Sequence, residues 1–475
     1  MVAPPPSMAT DSPAARRSRF AGKRVHFVGI GGVGMSGLAH MLLDAGADVT
    51  GSDPQPSQAT ARLADRGCLV AENQDGALLD GGVDLVVRTA AAPDENAELV
   101  AARSLGIETS FYAHLLGEVM AERFGVAVAG THGKTSTSSM LAYALLRCGL
   151  DPSFVVGGTS PQLGGGSRSG AGEAFVAEAC EYNRSFLNLS PTVAVVTNIE
   201  ADHLDTYPGG IDEIVDAFRD FAARLPAHGA LVINGDCPHS ARLRKTADVA
   251  VQRVGKTLGC EWTLVPAGLS NGCPVGHLLH EGKQAATLRL SVPGQHNLMN
   301  AAMSVAAATL AGADVKQAAD AVSDFRGVDR RQTLVGTIRK PAVTVVDDYG
   351  HHPTEIRMTL AALRDRYSPK RLICVFQPHQ ASRTRHLLDD FATSFAAADL
   401  VFLPDIYSVR DTIDDQRFVN SGQLADRIRA AGGHAEHVPT FDKVADRVKA
   451  ELRDGDLIVT MGAGNVWQVG QLLLR

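Results

Sequence analysis

The stretch from Phe124 to Met140, FGVAVAGTHGKTSTSSM, constrains this chain more than any other. Val126, Ala127, Val128 and Ala129 form an apolar run with the length and composition of a buried strand. The run breaks at Gly130-Thr131-His132-Gly133-Lys134-Thr135. From Ser136 onward, apolar residues at Met140, Leu141, Ala144 and Leu145 have helical spacing. A strand, a glycine-bearing turn and a helix start aim backbone N–H groups at one point with the helix dipole behind them, which suits a phosphate. Lys134 then supplies a point charge for the outer phosphates, and Thr135 a hydroxyl for Mg²⁺. The general spacing G-x-x-x-x-G-K-[ST] needs glycine at position 128, where Val128 stands, so this is a shortened loop. Its expected ATP-facing residues are Gly130, Thr131, His132, Gly133, Lys134, Thr135 and Ser136.

A chain of 475 residues has room for about three domains, each with its own core. The net charge of −7 argues against a nucleic-acid partner and gives no reason to expect a membrane surface. No apolar run is long enough to cross a bilayer. The seven cysteines are scattered and lack a C-x-x-C pair, which fits free thiols in a reducing cytoplasm and gives no zinc site. Arg16-Arg17 is not followed by the apolar segment of an export signal, so residues 1–20 are expected to be a disordered lead-in.

Residues 21–120 read as a first α/β domain. The strand at Arg24–Val28 leads into Gly29-Ile30-Gly31-Gly32-Val33-Gly34 and a helix from Met35 to Ala45. Gly29, Gly31 and Gly34 match the dinucleotide fingerprint, and Asp53 follows the next strand. Such glycines admit a pyrophosphate whichever nucleotide carries it, so either NAD or a nucleotide-linked substrate fits. A further strand, Asp84 to Ala90, brings Arg88 and Thr89 to its carboxyl end. The chain then runs straight into the triphosphate loop, which favours a nucleotide-linked substrate used together with ATP.

Residues 121–332 read as the ATP-binding domain. Gly157 to Gly172 is rich in Gly and Ser and is expected to be a flexible connection. Strands at Ala174–Glu178 and Val193–Ile199 carry Glu178, and then Glu200, Asp202, His203 and Asp205, at their ends. These are either caps and solvated turns or partners of Mg²⁺ and phosphate. A strand at Leu231–Asn234 follows. Asn297 and Asn300 precede or begin a helix from Leu298 to Ala311, and Asn297 is either a helix cap or an adenine partner. Arg330 and Arg331 suit a transferring phosphoryl group.

Residues 333–475 form a third α/β unit, with strands at Val343–Asp348, Leu372–Phe376, Leu400–Leu403 and Leu457–Thr460. Its strand ends carry Asp347, Asp348, Tyr349, His351, His352, Gln377, His379, Arg383 and Tyr407, where open sheets bind ligands. Adjacent side chains in an extended run point apart, which disfavours one metal held by both His351 and His352. Arg383 is expected to face a carboxylate substrate.

In number and order the motifs GIGGVGMSG at 29–37, GTHGKTSTSSM at 130–140, EACEYNRSF at 178–186 and TNIEADHLD at 197–205 resemble the Mur ligase family. So do PGQHNLMNA at 293–301, GVDRR at 327–331, DDYGHHPTE at 347–355 and FQPH at 376–379. The resemblance covers nearly all of the chain after residue 20. It implies an α/β fold of three domains: a Rossmann-like UDP-sugar domain (21–120), a central P-loop ATPase-type domain (121–332) and a Rossmann-like amino-acid-binding domain (333–475). It also implies a cytoplasmic ATP-dependent ligase of peptidoglycan precursor synthesis, using Mg²⁺ or Mn²⁺, with UDP-N-acetylmuramate and L-alanine as substrates. A homodimer stays open.

By the same resemblance, Gly29, Gly31, Gly32, Gly34, Asp53, Arg88 and Thr89 belong to the UDP-sugar site. Lys134 holds the outer phosphates, while Thr135, Glu178 and His203 hold metal. Asn297 and Asn300 lie near adenine, Arg331 near the γ-phosphate, and Asp347 or Asp348 near the ribose. Tyr349, His351 and Arg383 take the amino acid, and Gln380-Ala381 departs from the family pattern beside them. Lys134, His203, Arg331 and His351 are the expected catalytic groups, with His203 or His351 accepting the amine proton.

Overall fold

The computed structural model describes residues 18–89, 91–245, 248–408, 411 and 417–475. The expected disordered lead-in therefore falls almost wholly outside the described residues. At its end, Phe20 is buried beside a turn closed by Ala21 N–H donating to Ser18 O. The chain divides into two compact units, one ending at Leu115 and the other running from Leu116 to Arg475.

The first unit holds a parallel sheet of β1 (Arg24–Val28), β2 (Asp48–Ser52), β3 (Leu69–Ala71), β4 (Leu85–Arg88) and β5 (Glu108–Phe111), in the order β3-β2-β1-β4-β5. The order reverses at β1, so the switch point lies beside the turn that starts at Gly29. Behind it, buried His26 meets Glu98 at 3.1 Å, and Ser52 Oγ donates to the same carboxylate at 2.5 Å. A buried carboxylate is retained only with partners of this kind.

The second unit carries two sheets. The larger has the order β15-β14-β13-β12-β11-β10-β6-β9-β7-β8. Its parallel centre is β6 (Phe124–Ala129), β9 (Ala174–Glu178), β10 (Val193–Val196) and β11 (Ala230–Asn234). Strands buried on both faces read as continuous apolar runs, and Val126–Ala129 and Val193–Val196 are wholly buried. The loop helix, Lys134–Arg147, packs on this sheet beside the helix Gln295–Leu310, with Met140, Leu141, Ala144 and Leu145 all in the core.

Two expectations for this region are corrected. The segment Gly157 to Gly172 is not a flexible connection: it contains most of a hairpin of β7 (Ser153–Ser160) and β8 (Gly165–Arg168). Some of its glycines serve close packing: a Cβ on Gly158 would sit 2.4 Å from Val328 Cγ1 and 3.1 Å from Thr135 Cγ2. The helix expected from Leu298 starts at Gln295, with Gly294 as its cap residue. Asn297 therefore lies in the first turn and is not the cap. Strands β12 (Ala250–Gly255), β13 (Trp262–Ser270), β14 (Cys273–His280) and β15 (Lys283–Arg289) extend the sheet beyond those expected.

The third sheet runs β16-β17-β21-β18-β19-β20. It consists of β16 (Thr333–Ile338), β17 (Val343–Asp348), β18 (Arg371–Phe376), β19 (Leu400–Leu403), β20 (Ala435–His437) and β21 (Asp456–Met461), and only β16 is antiparallel.

Candidate active site

Two glycines make the loop after β6 possible. Gly130 has φ +134°, and a Cβ there would lie 2.0 Å from Thr197 Oγ1. Gly133 has φ +80°, and a Cβ there would lie 2.7 Å from Asn300 Oδ1. Both the backbone conformation and the space exclude a larger residue at each position. Residues after β10 clamp the turn. Thr131 N–H donates to Asn198 O (3.0 Å), His132 N–H to Asn198 Oδ1 (2.9 Å), and Thr197 Oγ to His132 O (2.6 Å). The loop helix begins with no side-chain cap and no acid in its first turn, so its positive end is left for an anion.

Lys134 points back into this turn. Its ammonium donates to Gly130 O at 2.6 Å and Thr131 O at 3.0 Å, and pairs with Glu181 at 2.9 Å. Burial opposes its charge, but Glu181, with Cys180 and Glu178 adding to it, raises the pKa above the usual lysine value. Glu181 also approaches His203 Nε2 at 3.9 Å, so one carboxylate links two expected catalytic groups. Sequence reasoning did not select Glu181, although it stands three residues after Glu178 in the same strand-end segment.

Of the expected metal ligands, Thr135 is buried in the first turn of the loop helix. Glu178 ends β9 and accepts Gly157 N–H at 2.7 Å. His203 has Asp202 at 3.8 Å and Tyr182 edge-on at 5.0 Å. A hydroxyl, a carboxylate and an imidazole fit Mg²⁺ or Mn²⁺, and Glu181 Oε2 is a buried oxygen with no hydrogen bond beyond its ion pair.

A cavity of about 560 Å³ opens beside the loop, within the size range of small-molecule sites. Of the expected ATP residues, His132, Gly133, Ser136, Asn297, Asn300, Arg331 and Asp348 line it, whereas Gly130, Thr131, Lys134, Thr135 and Asp347 do not. Asn300 Nδ2 donates to Asn297 Oδ1 at 3.0 Å, which fixes the two amides relative to each other. The Asp pair at the end of β17 splits. Asp347 is spent on Arg330 (3.0 Å) and Thr460 (2.6 Å), while Asp348 accepts the N–H groups of Gln332 (2.9 Å) and Gly350 (2.7 Å). Burial pushes the Asp348 carboxyl up to about 6 against the pull of Arg331.

Glu355, not selected from sequence, and Glu200, read there as either a cap or a partner of Mg²⁺ and phosphate, complete the polar wall. The Glu355 carboxylate lies 3.5 Å from His132, 3.6 Å from Arg331 and 3.5 Å from His351. Burial favours its protonation, but these cationic and imidazole neighbours hold its pKa well below the carboxylate range. His132 lies between Glu355 and Glu200, each at 3.5 Å, and the pair raises its pKa to about 9 against burial. Burial instead lowers His351 to about 3, and Arg383 adds to that, so its ring is uncharged at neutral pH.

The residues expected at the amino-acid end come together around His351. Tyr349 packs edge-on to it at 5.4 Å, and His379 lies 6.0 Å away. Arg383 is buried, with Nε donating to Asp202 at 3.0 Å, so its guanidinium already faces a protein carboxylate. Gln380 is buried in a left-handed conformation (φ +70°) just before the short helix that carries Arg383.

In the first unit, Gly29 (φ +83°) and Ile30 donate backbone N–H to Ser52 O, and Gly31 N–H donates to Asp53 Oδ2 at 2.9 Å. A Cβ on Gly31 would meet that same oxygen at 2.8 Å, and one on Gly34 would meet the Tyr112 hydroxyl at 2.5 Å. Gly32 is the cap residue of the helix Val33–Asp44. Arg88, at the end of β4, pairs with Asp94 and lies 4.8 Å over the Phe111 ring, and Thr89 accepts Ala91 N–H at 3.3 Å.

Three family models match the chain in series. They are the Mur ligase family catalytic domain over residues 24–124, the Mur ligase middle domain over 128–308, and the Mur ligase glutamate ligase domain over 330–464. The UDP-N-acetylmuramate–L-alanine ligase of Clostridium novyi is 42% identical, with 95% of this chain and 97% of that protein covered. The protein of the same name from Mycolicibacterium gilvum is 44% identical, with 95% and 96% covered. Among solved structures, a UDP-N-acetylmuramate–alanine ligase from Thermotoga maritima superposes with a TM-score of 0.76 at 26% identity, covering 95% of this chain and 98% of that one. A murein peptide ligase from Psychrobacter arcticus superposes with a TM-score of 0.69 at 26% identity over the same shares.

Proposed function

This chain belongs to the Mur ligase family, and on that premise we propose that it joins L-alanine to the carboxyl of UDP-N-acetylmuramate, driven by ATP, in peptidoglycan precursor synthesis. The observation that carries this reading is that one cavity is lined by the phosphate loop, the Asn297–Asn300 pair, Arg331 and Asp348, with His351 in contact with its Glu355 wall.

The carboxylate of the sugar acid attacks the γ-phosphate, giving an acyl phosphate and ADP. The alanine amine then attacks the acyl carbon, and phosphate leaves from the tetrahedral intermediate. No enzyme nucleophile is needed, so the protein contributes alignment and charge. Lys134 and Arg331 counter charge on the transferring phosphoryl group. Mg²⁺ or Mn²⁺ held by Thr135, Glu178 and His203 would supply further charge neutralisation on the phosphates. His203 or His351 takes the amine proton; on His351 the acceptor is Nε2, because Nδ1 faces the Tyr349 carbonyl at 3.2 Å. Glycines 29, 31, 32 and 34, with Asp53, Arg88 and Thr89, hold the UDP-sugar. Among the described residues no helix is long and apolar enough to cross a membrane, and a cytoplasmic location completes the reading.

The resemblance to a murein peptide ligase favours a second reading, in which the amine belongs to a recycled peptide. Phosphate release from ATP and UDP-N-acetylmuramate separates the two. L-Alanine should support turnover and a tripeptide should not; turnover with the tripeptide alone would replace the first reading by the second.

A further inference from the structure

The His351–His352 pair divides between two surroundings. His351 turns to Tyr349, Glu355 and His379, while His352 packs against His132 with ring centroids 4.5 Å apart. His132, Glu200 and His352 then bring one possible ligand atom each to within 4.8 Å of one another. We propose that this trio binds a borderline-soft divalent cation such as Zn²⁺, at a site separate from the Mg²⁺ that serves phosphate transfer.

His132 Nε2 is buried and makes no hydrogen bond. It stands 3.5 Å from Glu200 Oε2, which is long for a hydrogen bond. That spacing is close to the edge, about 3.3 Å, of a tetrahedron whose metal–ligand bonds are about 2.0–2.1 Å. The supporting contacts are those a metal site needs. Glu355 faces the other ring nitrogen of His132 at 3.5 Å, giving a carboxylate–histidine–metal arrangement that keeps the remaining proton on Nδ1. The Thr354 hydroxyl donates to Glu200 Oε2 at 2.7 Å and orients that carboxylate.

His352 caps the helix Pro353–Tyr367 by accepting Thr354 N–H at Nδ1 (3.3 Å), and its Nε2 lies 3.4 Å from Ala201 O. Ligation through Nε2 moves the ring proton to Nδ1 and gives up two long contacts, the 3.3 Å cap bond and the 3.4 Å approach to Ala201 O. Two imidazoles and one carboxylate suit Zn²⁺ or Co²⁺, whereas Mg²⁺ takes oxygen ligands and sheds its water reluctantly. The bound ion takes the place of the His132 proton, so the two carboxylates beside it stay compensated. It also ties the phosphate loop to a helix that follows β17, and turnover at saturating Mg²⁺ is therefore slowed by Zn²⁺.

The test uses the full chain in excess Mg²⁺, titrated with Co²⁺ and without substrates, so that its result does not depend on which amine the enzyme takes. The wild type should develop the visible absorption bands of a low-coordinate Co²⁺ site, and Zn²⁺ should abolish them. His352→Asn, which retains a good helix cap, and Glu200→Gln, which still accepts the Thr354 hydroxyl, should each weaken Co²⁺ at least about tenfold. His352→Asn should also keep Mg²⁺-dependent turnover while losing its sensitivity to Zn²⁺. Absence of the bands in the wild type, equal Co²⁺ affinity in both variants, or loss of binding only on His203→Asn would each overturn the assignment.

Discussion

Lys134→Ala should lower turnover about a hundredfold or more, the loss expected when one charge contact to the transition state is removed. The same change should also weaken the fold, because Glu181 is left buried without the ammonium 2.9 Å away. Breaking a buried pair in this way costs roughly 3–5 kcal/mol. The two effects can be separated. In the double variant Lys134→Ala/Glu181→Gln the unpaired charge is gone, so the melting temperature should recover most of its loss while turnover stays low. Steady-state phosphate release and thermal unfolding on the same samples read both quantities. Near-normal turnover in the single variant would remove Lys134 from the mechanism.

Arg383→Ala carries the second large effect. It strips the partner from Asp202, whose carboxylate is buried and 3.0 Å from the guanidinium, and should destabilise the protein by roughly 3–5 kcal/mol. Burial alone would favour protonation of Asp202, but Arg383 foremost, then His203, His351 and His352, holds its pKa far below the usual carboxylate value. A group depressed on folding stabilises fully above its unfolded pKa of about 3.9 and loses that contribution as pH falls through its folded pKa. The wild type should therefore lose stability below about pH 4, where the unfolded chain takes up a proton at Asp202 that the folded protein still excludes. In Arg383→Ala most of that acid-labile part should already be missing, which flattens the acid limb of melting temperature against pH. Parallel acid limbs in the two proteins would show that Asp202 does not depend on Arg383. If Arg383 also positions the amino acid, KM for L-alanine should rise more than kcat falls in Arg383→Lys, which keeps a charge beside Asp202 but not the planar fork.

What could be read from the residues follows the locality of the physics. The phosphate loop was legible because strand, glycines, lysine and helix lie within seventeen consecutive positions, and Val343–Asp348 was legible because a strand buried on both faces is one apolar run ending in acids. Of the two readings of Asn297, the cap falls because the helix begins two residues before it, at Gln295, after a glycine in a left-handed conformation. The charge partners were not legible for a different reason. Glu355 contacts His132 across more than two hundred positions, and Glu200 meets Thr354 across a hundred and fifty-four. Sequence marks such acids only as polar residues near strand ends. Likewise, the glycines of 157–172 look flexible in composition, and only the approach of Glu178 to Gly157 and of Val328 and Thr135 to Gly158 reveals those two as packing positions.

The central claim, that one carboxyl is activated by phosphate before the amine captures it, is tested most directly with UDP-N-acetylmuramate labelled with ¹⁸O in that carboxyl. Turnover with ATP and L-alanine should release inorganic phosphate carrying one ¹⁸O per molecule, with the other label retained in the new amide. Unlabelled phosphate, released while the amide bond still forms, would contradict it.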